Sequence, residues 1–434
     1  MSFDYINRKN LLIKNIKQRY PGKNGLLLLF SSFENNKYKF DQDSTFNYFT
    51  NLQHEPGVIL AIEISDNPSK QTIYIPKYQE SRSKWTRSDN ISAKSMGVNN
   101  IEYLGKEVKG CSISPIFDKE QYENIINLLM QYKDHNIFTT YSKAYVEQYL
   151  LIKQIIQVVP QLEKNIIDIS DIIAKMRRKK TQLEAEKIYE AVACTMIGYN
   201  TAGPFIAADV FEYEIQAGLE LMFKQLGGQP AFPSIVASGS NGLILHYNSN
   251  NCKIPKDALV IIDSGAKLDN YCADITRTYP VSGKFSKRQK EIYNIVLETQ
   301  EYIENLAQPG YWLNNKDEPN KSLHHLAYKF LEKCGYAKYF THSIGHYLGL
   351  DVHDVGSYKE PLQEGDVFTI EPGLYIPEEN IAVRIEDDYW LSPDDGTICL
   401  SEELEKTSEG VEEFMARKGD FDYNEDIDIY EDEE

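Results

Sequence analysis

Two kinds of hydrophobic pattern alternate along the first 165 residues. From Arg8 to Tyr20, apolar side chains recur at helical spacing. Gly25 to Phe30 (GLLLLF) and Gly57 to Ile64 (GVILAIEI) are instead short, continuous apolar runs, the mark of strands buried on both faces. A second helical pattern spans Tyr145 to Val159 and stops at Pro160, whose ring cannot continue a helix. Asn165 to Lys180 is then a short apolar stretch running into the basic MRRKK, where a domain boundary is expected. These signals predict an α/β domain over 1–165.

A new pattern starts at Thr181, which precedes Glu184 by three residues, the spacing of a capping box. Leu183, Ile188, Val192 and Met196 follow at near-helical intervals. Further on, runs dense in Ile, Val and Tyr alternate with helical segments such as Lys287 to Leu306 and Ser322 to Cys334, which predicts an α+β domain over 175–418. Residues 419–434 have the like-charged, low-complexity character of a disordered tail, with nine carboxylates in the last fifteen positions.

Composition narrows the function. The 434 residues, 42% hydrophobic, suffice to bury more than one core. With 46 basic against 65 acidic residues, a formal net charge of −19, the chain lacks the basic footprint of a nucleic-acid binder. Six scattered cysteines without a C-x-x-C suit neither a disulfide framework nor a thiolate zinc site, so free thiols are expected. The start MSFDYINRKN lacks a signal-peptide profile, and no apolar run approaches the roughly 18 residues that span a bilayer. A cytoplasmic location away from membranes is the expectation.

Chemistry enters where acids interrupt apolar runs. Asp263 directly follows the run Ala258 to Ile262, a costly place for a carboxylate without a cation. A hairpin folded about Leu268 and Asp269 would set it across from Asp274. Either a polar turn with a salt bridge to Arg277, or a shared metal, would explain the pair. His342, His346 and His353 fall within twelve residues, in the frame THSIGHYLGLDVHDVG, whose glycines favour backbone that passes close to a ligand. In FTIEPGLYIP, Glu371 interrupts a strand before Pro372-Gly373, and AVRIEDDYW carries further acids fifteen residues on. Period-two alternation leaves both Glu386 and Asp388 open as the functional one. Four carboxylates with one imidazole form a hard donor set suited to Mn²⁺ more than to structural zinc. Their charge favours two ions about 3.5–4 Å apart, which activate water. No H-E-x-x-H helix, G-x-S-x-G elbow or P-loop competes.

DSGAKLDNYCADITRT, HSIGHYLGLDVHDVG, TIEPGLYIP and VRIEDD, in this order, with SGSNGLILHYNSN upstream, resemble the motifs of the Xaa-Pro aminopeptidases (aminopeptidase P). FDQDSTFNYFTNLQHEPGVILAI extends the resemblance to that family's non-catalytic amino-terminal domain. It implies an α+β fold, a pita-bread catalytic domain of the kind shared with prolidase and methionine aminopeptidase, preceded by the smaller α/β domain. It further implies that Asp263, Asp274, His346, Glu371 and Glu386 are the dinuclear metal ligands, which selects Glu386 over Asp388. By the same resemblance His246, His342 and His353 are additional active-site histidines, and Arg384 and Tyr375 support the site and the substrate. Glu371, His353 and His246 would carry the catalytic steps. The implied reaction is hydrolysis of the bond between an N-terminal residue and a penultimate proline, so the expected partners are peptides with proline second. Two alternatives stand beside it: a prolidase restricted to Xaa-Pro dipeptides, and a pita-bread binding module without catalysis. Relatives are commonly dimers or tetramers, and Trp85 in SRSKWT resembles a residue that in some of them reaches a neighbour's active site.

Overall fold

The GLLLLF run forms a strand, β1 (Gly25–Phe30), buried along its whole length. Six consecutive buried residues require cover on both faces of a sheet, which the five apolar side chains from Leu26 to Phe30 help supply. The computed structural model describes residues 5–34, 39–66, 69–84, 91–110, 112–143 and 146–417. Trp85, Cys111 and the acidic segment 419–434 lie outside them. The chain divides into two compact units, one ending at Arg177 and one beginning at Arg178.

In the first unit β1 is joined by β2 (Ile59–Ile64), β3 (Gln71–Lys77), β4 (Asn100–Glu107), β5 (Asn136–Thr139) and β6 (Ile166–Asp168) in a mixed sheet of order β4-β3-β2-β1-β5-β6. Leu26, Leu28 and Phe30 of β1 pack with Ile125 and Leu129 of the helix Glu123–Gln131 and with Ile152 and Ile155 of the helix Val146–Val158. The patterned stretch from Arg8 to Tyr20 is the helix Tyr5–Arg19. The stretch from Asn165 to Lys180 holds more structure than its pattern indicated: β6 pairs in parallel with β5, and a helix follows over Ser170–Arg178. A three-residue strand is too short for periodicity to register.

The second unit opens with the helix Gln182–Ala202, whose Thr181–Glu184 capping box is formed in full. Three antiparallel strands, Ile235–Ser238, Leu259–Ser264 and Ile275–Pro280, make one sheet with Leu259–Ser264 at its centre. Strands Val367–Ile370, Asp387–Ser392 and Gly396–Cys399 make another, and Gly373–Ile376 pairs with Ile381–Arg384. A bridge between Thr276 and Glu386 ties the two halves together. No described helix is long and apolar enough to cross a membrane. Cys194, Cys252, Cys272, Cys334 and Cys399 are free thiols.

The hairpin register differs from the expected one. Asp263 faces Thr276, so Asp274 is its diagonal neighbour and not its direct partner. The chain turns at Asp269 and Asn270, one residue later than expected, with both at positive φ (47° and 71°). A two-residue hairpin loop needs this left-handed backbone, which Asp and Asn tolerate better than Leu268 would.

Candidate metal centre

Each acid sits where a strand ends or breaks. Asp263 is the penultimate residue of the central strand, and Asp274 precedes its hairpin partner. Glu371 follows Val367–Ile370, and Glu386 occupies the break between Ile381–Arg384 and Asp387–Ser392. His346 is fixed by backbone: its N–H donates to Thr369 Oγ1 at 3.2 Å and its carbonyl accepts from Thr369 N at 2.9 Å. A Cβ on Gly345 would collide with the Thr369 carbonyl, so this approach requires glycine. His346 Nδ1 lies 3.1 Å from the Tyr347 carbonyl. A proton placed there leaves Nε2 as the electron-pair donor facing the acids.

Ligand atoms of Asp274, His346 and Glu386 all lie within 4.8 Å of one another. His346 Nε2 is 3.3 Å from Asp274 Oδ2 and 3.9 Å from Glu371 Oε1. All four, with Asp263, line one cavity of about 660 Å³, whose wall also includes His246, His342, His353 and Arg384. Tyr375 stands behind it, its hydroxyl receiving Arg384 Nη1 at 2.8 Å and lying 3.0 Å from His342 Nε2. His342 Nδ1 lies 2.8 Å from the Ser343 carbonyl, so both ring nitrogens have partners within the protein.

The electrostatics call for positive charge. Burial, then the Asp263 charge, raises the Asp274 carboxyl well above the usual range. Burial, then Asp274 and the other acids, does the same to Glu386. Glu371 is pushed up to about 7, chiefly by burial. Arg384 Nη2 meets Asp263 Oδ2 at 2.7 Å, yet Asp263 Oδ1 is buried with no hydrogen-bond partner among the described residues. Crowded carboxylates, an orphaned oxygen and an imidazole with its lone pair inward fit divalent metal, which inverts the local charge balance. Burial lowers His342 to about 4 and also lowers His353, so both are neutral at pH 7.

Of the two acids that alternation left open, Glu386 turns into the cavity, its Oε2 accepting Thr276 Oγ1 at 2.7 Å. Asp388 is buried behind, where its Oδ2 accepts the Asp274 N–H at 3.0 Å. Arg277 does not pair with Asp263 or Asp274 as the salt-bridge reading had it. Next to Thr276 on its strand, it points to the opposite face, bonds Asp387 at 2.6 Å, and donates to the Glu386 carbonyl at 2.7 Å. Sequence reading also passed over the buried pair Lys180–Asp354, 3.0 Å apart, in which Asp354 adjoins His353. The signal for it lay in MRRKK, read above only as a boundary. Thr276, Asp388 and Asp387 became legible as supports only through the register.

The Metallopeptidase family M24 profile matches residues 185–393, and the aminopeptidase P N-terminal domain profile matches residues 5–104. An Xaa-Pro aminopeptidase of Haemophilus influenzae is 30% identical over 429 residues, covering 90% of this chain and 93% of that protein. The chain belongs to the aminopeptidase P branch of metallopeptidase family M24. The Escherichia coli Xaa-Pro aminopeptidase is likewise 30% identical, over 93% of this chain and 96% of its own length. The structure of aminopeptidase P from E. coli with the inhibitor Pro-Leu superposes with a TM-score of 0.80 at 26% identity, covering 96% of this chain and 98% of that one. As a member of this M24 branch, the chain is a metallo-aminopeptidase of mixed α and β structure with a pita-bread catalytic unit, and its chemistry depends on divalent metal.

Proposed function

We propose that this metallo-aminopeptidase removes the first residue from peptides whose second residue is proline, with two Mn²⁺ ions held by Asp263, Asp274, His346, Glu371 and Glu386. The observation that carries this reading is the gathering of these five side chains on one cavity, in a chain that aligns with Xaa-Pro aminopeptidases through both of its units. Metal bound by these residues supplies Lewis acidity and lowers the pKa of water.

The chain's own residues do the rest. Glu371, a carboxylate on the cavity wall, accepts the proton of the attacking water. His353 and His246 line the same cavity, where an imidazole N–H can donate to the tetrahedral oxygen and steady the departing nitrogen of proline as it receives the proton taken up by Glu371. Arg384 holds Asp263 and, through Tyr375, His342. These links keep the wall of the cavity in one arrangement.

A second reading, hydrolysis of Xaa-Pro dipeptides alone, is raised by the Xaa-Pro dipeptidase of Pyrococcus furiosus, 35% identical over 296 residues, which covers 67% of this chain. The Xaa-Pro aminopeptidases of H. influenzae and E. coli match about nine-tenths of it. Chain length separates the two, since a dipeptidase must recognise a free carboxylate directly after proline. The test compares Xaa-Pro-Xaa tripeptides with Xaa-Pro dipeptides on metal-stripped protein refilled with Mn²⁺. Higher kcat/KM on tripeptides is expected. A tenfold preference for dipeptides, about 1.4 kcal/mol of transition-state free energy, would replace the aminopeptidase reading with prolidase.

A further inference from the structure

His246 is exposed on the cavity wall, and no hydrogen bond fixes its ring among the described residues. Its position therefore depends on the backbone that carries it. That backbone, from Ser238 at the end of its strand to Cys252, contains a short 3₁₀ turn over Gly239–Leu243 and no further regular element. Such a segment holds one shape only if its polar groups find fixed partners.

The fixed partner is Glu212, the first residue of the helix Glu212–Gln225, fully buried. Its carboxylate accepts five hydrogen bonds, and all five come from this one segment. Oε1 receives Ser238 N at 2.9 Å, Ser238 Oγ at 2.6 Å and Asn241 Nδ2 at 2.9 Å. Oε2 receives the Tyr247 hydroxyl at 2.7 Å and Cys252 N at 3.0 Å. The Glu212 N–H returns a bond to the Cys252 carbonyl at 3.0 Å. These donors hold the carboxyl below its usual range against the opposing effect of burial, so the anchor remains an anion.

The anchor reaches His246 through its neighbour. Tyr247 is buried in the cluster formed by Ile235, Ala237, Ile261, Tyr375 and Ala382, with its hydroxyl on Glu212. A buried ring at 247 with one end tied leaves residue 246 facing the cavity. Asn250, at φ 45°, staples the far side: its Nδ2 donates to the Ser234 carbonyl at 2.7 Å and its Oδ1 accepts Val236 N at 3.0 Å.

We infer that Glu212 is the positioning residue for His246, acting through Tyr247 and the segment 238–252. The inference rests on the catalytic part proposed above for His246. A double-mutant cycle tests it, with kcat and metal content measured for Glu212→Gln, Tyr247→Phe, His246→Ala and the two double variants. Glu212→Gln should keep its metal and lose roughly tenfold to a hundredfold in kcat, the scale of a displaced catalytic group. Tyr247→Phe removes one hydroxyl from a ring that stays packed, and should lose about threefold to tenfold. In the His246→Ala background both losses should shrink to less than about twofold. Equal losses in both backgrounds would overturn the inference and make Glu212 a purely structural anchor. If Glu212→Gln fails to fold, Tyr247→Phe alone decides. An unimpaired His246→Ala would remove the catalytic reading of His246 and the inference with it, a result distinguishable from additivity because it shows in the single variant.

Discussion

The strands Gly25–Phe30 and Leu259–Ser264 are built from nearly the same material. Each is six residues long, mostly Leu, Val or Ile, and central in its sheet. GLLLLF is apolar from end to end, and its surroundings in the first unit are a core of aliphatic and aromatic side chains. LVIIDS stays apolar for four residues and then presents Asp263, which shares a cavity with Asp274, Glu386 and Arg384. In the first unit buried charges have protein partners: Lys9 Nζ donates to the Met96 carbonyl at 2.7 Å, and Arg82 pairs with Glu34 at 3.0 Å. At its cavity the second also packs acids against acids. Hydrophobic burial favours both strands equally, so the acids of the second oppose folding unless cations meet them. A fold tolerates that opposition where binding or chemistry compensates it, and the contrast between the strands thus locates the site.

The largest effect expected from breaking this contrast is loss of turnover. Chelation, or Asp274→Ala, should reduce hydrolysis to the level of the metal-stripped protein, and Mn²⁺ should restore only the chelated sample. Elemental analysis of the variant should show at least one ion missing. Full turnover after exhaustive chelation would refute the metal dependence.

A step down in effect, His353→Ala should retain its metal and lose kcat by roughly 10²–10⁴, the range for a positioned proton-transfer group. His346→Ala should lose metal. Equal metal loss in both would merge the two histidines into one role.

Stability comes next. Leu28→Ala truncates a buried side chain in an apolar core and should cost about 2–5 kcal/mol in denaturant unfolding while metal content stays unchanged. Lys180→Met breaks the buried pair with Asp354, 3.0 Å away, and should cost about 3–5 kcal/mol. Adding Asp354→Leu should recover part of the Lys180→Met loss and none of the Leu28→Ala loss.

The smallest expected effect is on pH dependence. In metal-free protein the Asp274, Glu371 and Glu386 carboxyls are raised, so folding favours their protonated forms. For Glu371 that contribution is complete below its ordinary value of 4.5 and disappears as pH rises through about 7. The Tm of metal-free protein should therefore fall across this window, while metal-loaded protein should show no such fall. Scanning calorimetry at a series of pH values reads the difference, and parallel curves would contradict the assigned cause.

Much of the molecule can be read from the chain alone, because short-range physics suffices for it. Continuous apolar runs mark central strands, Thr181 with Glu184 starts a helix, and acids or clustered histidines interrupting apolar segments mark the residues that line the cavity. Other features depended on how distant segments met. The left-handed turn at Asp269 and Asn270 set the hairpin register, and with it Thr276, not Asp274, opposite Asp263. Glu386, Asp387 and Asp388 are equivalent by type. Only the break between two strands turned the first toward the cavity, the second toward Arg277 and the third onto the Asp274 backbone. Lys180 and Asp354 are 174 positions apart, and Glu212 stands 26 to 40 positions before its donors. Sequence patterns reveal a side chain's chemistry and local face. The partner of a buried charge depends on which distant group the packing leaves to satisfy it, and tertiary structure alone decides that.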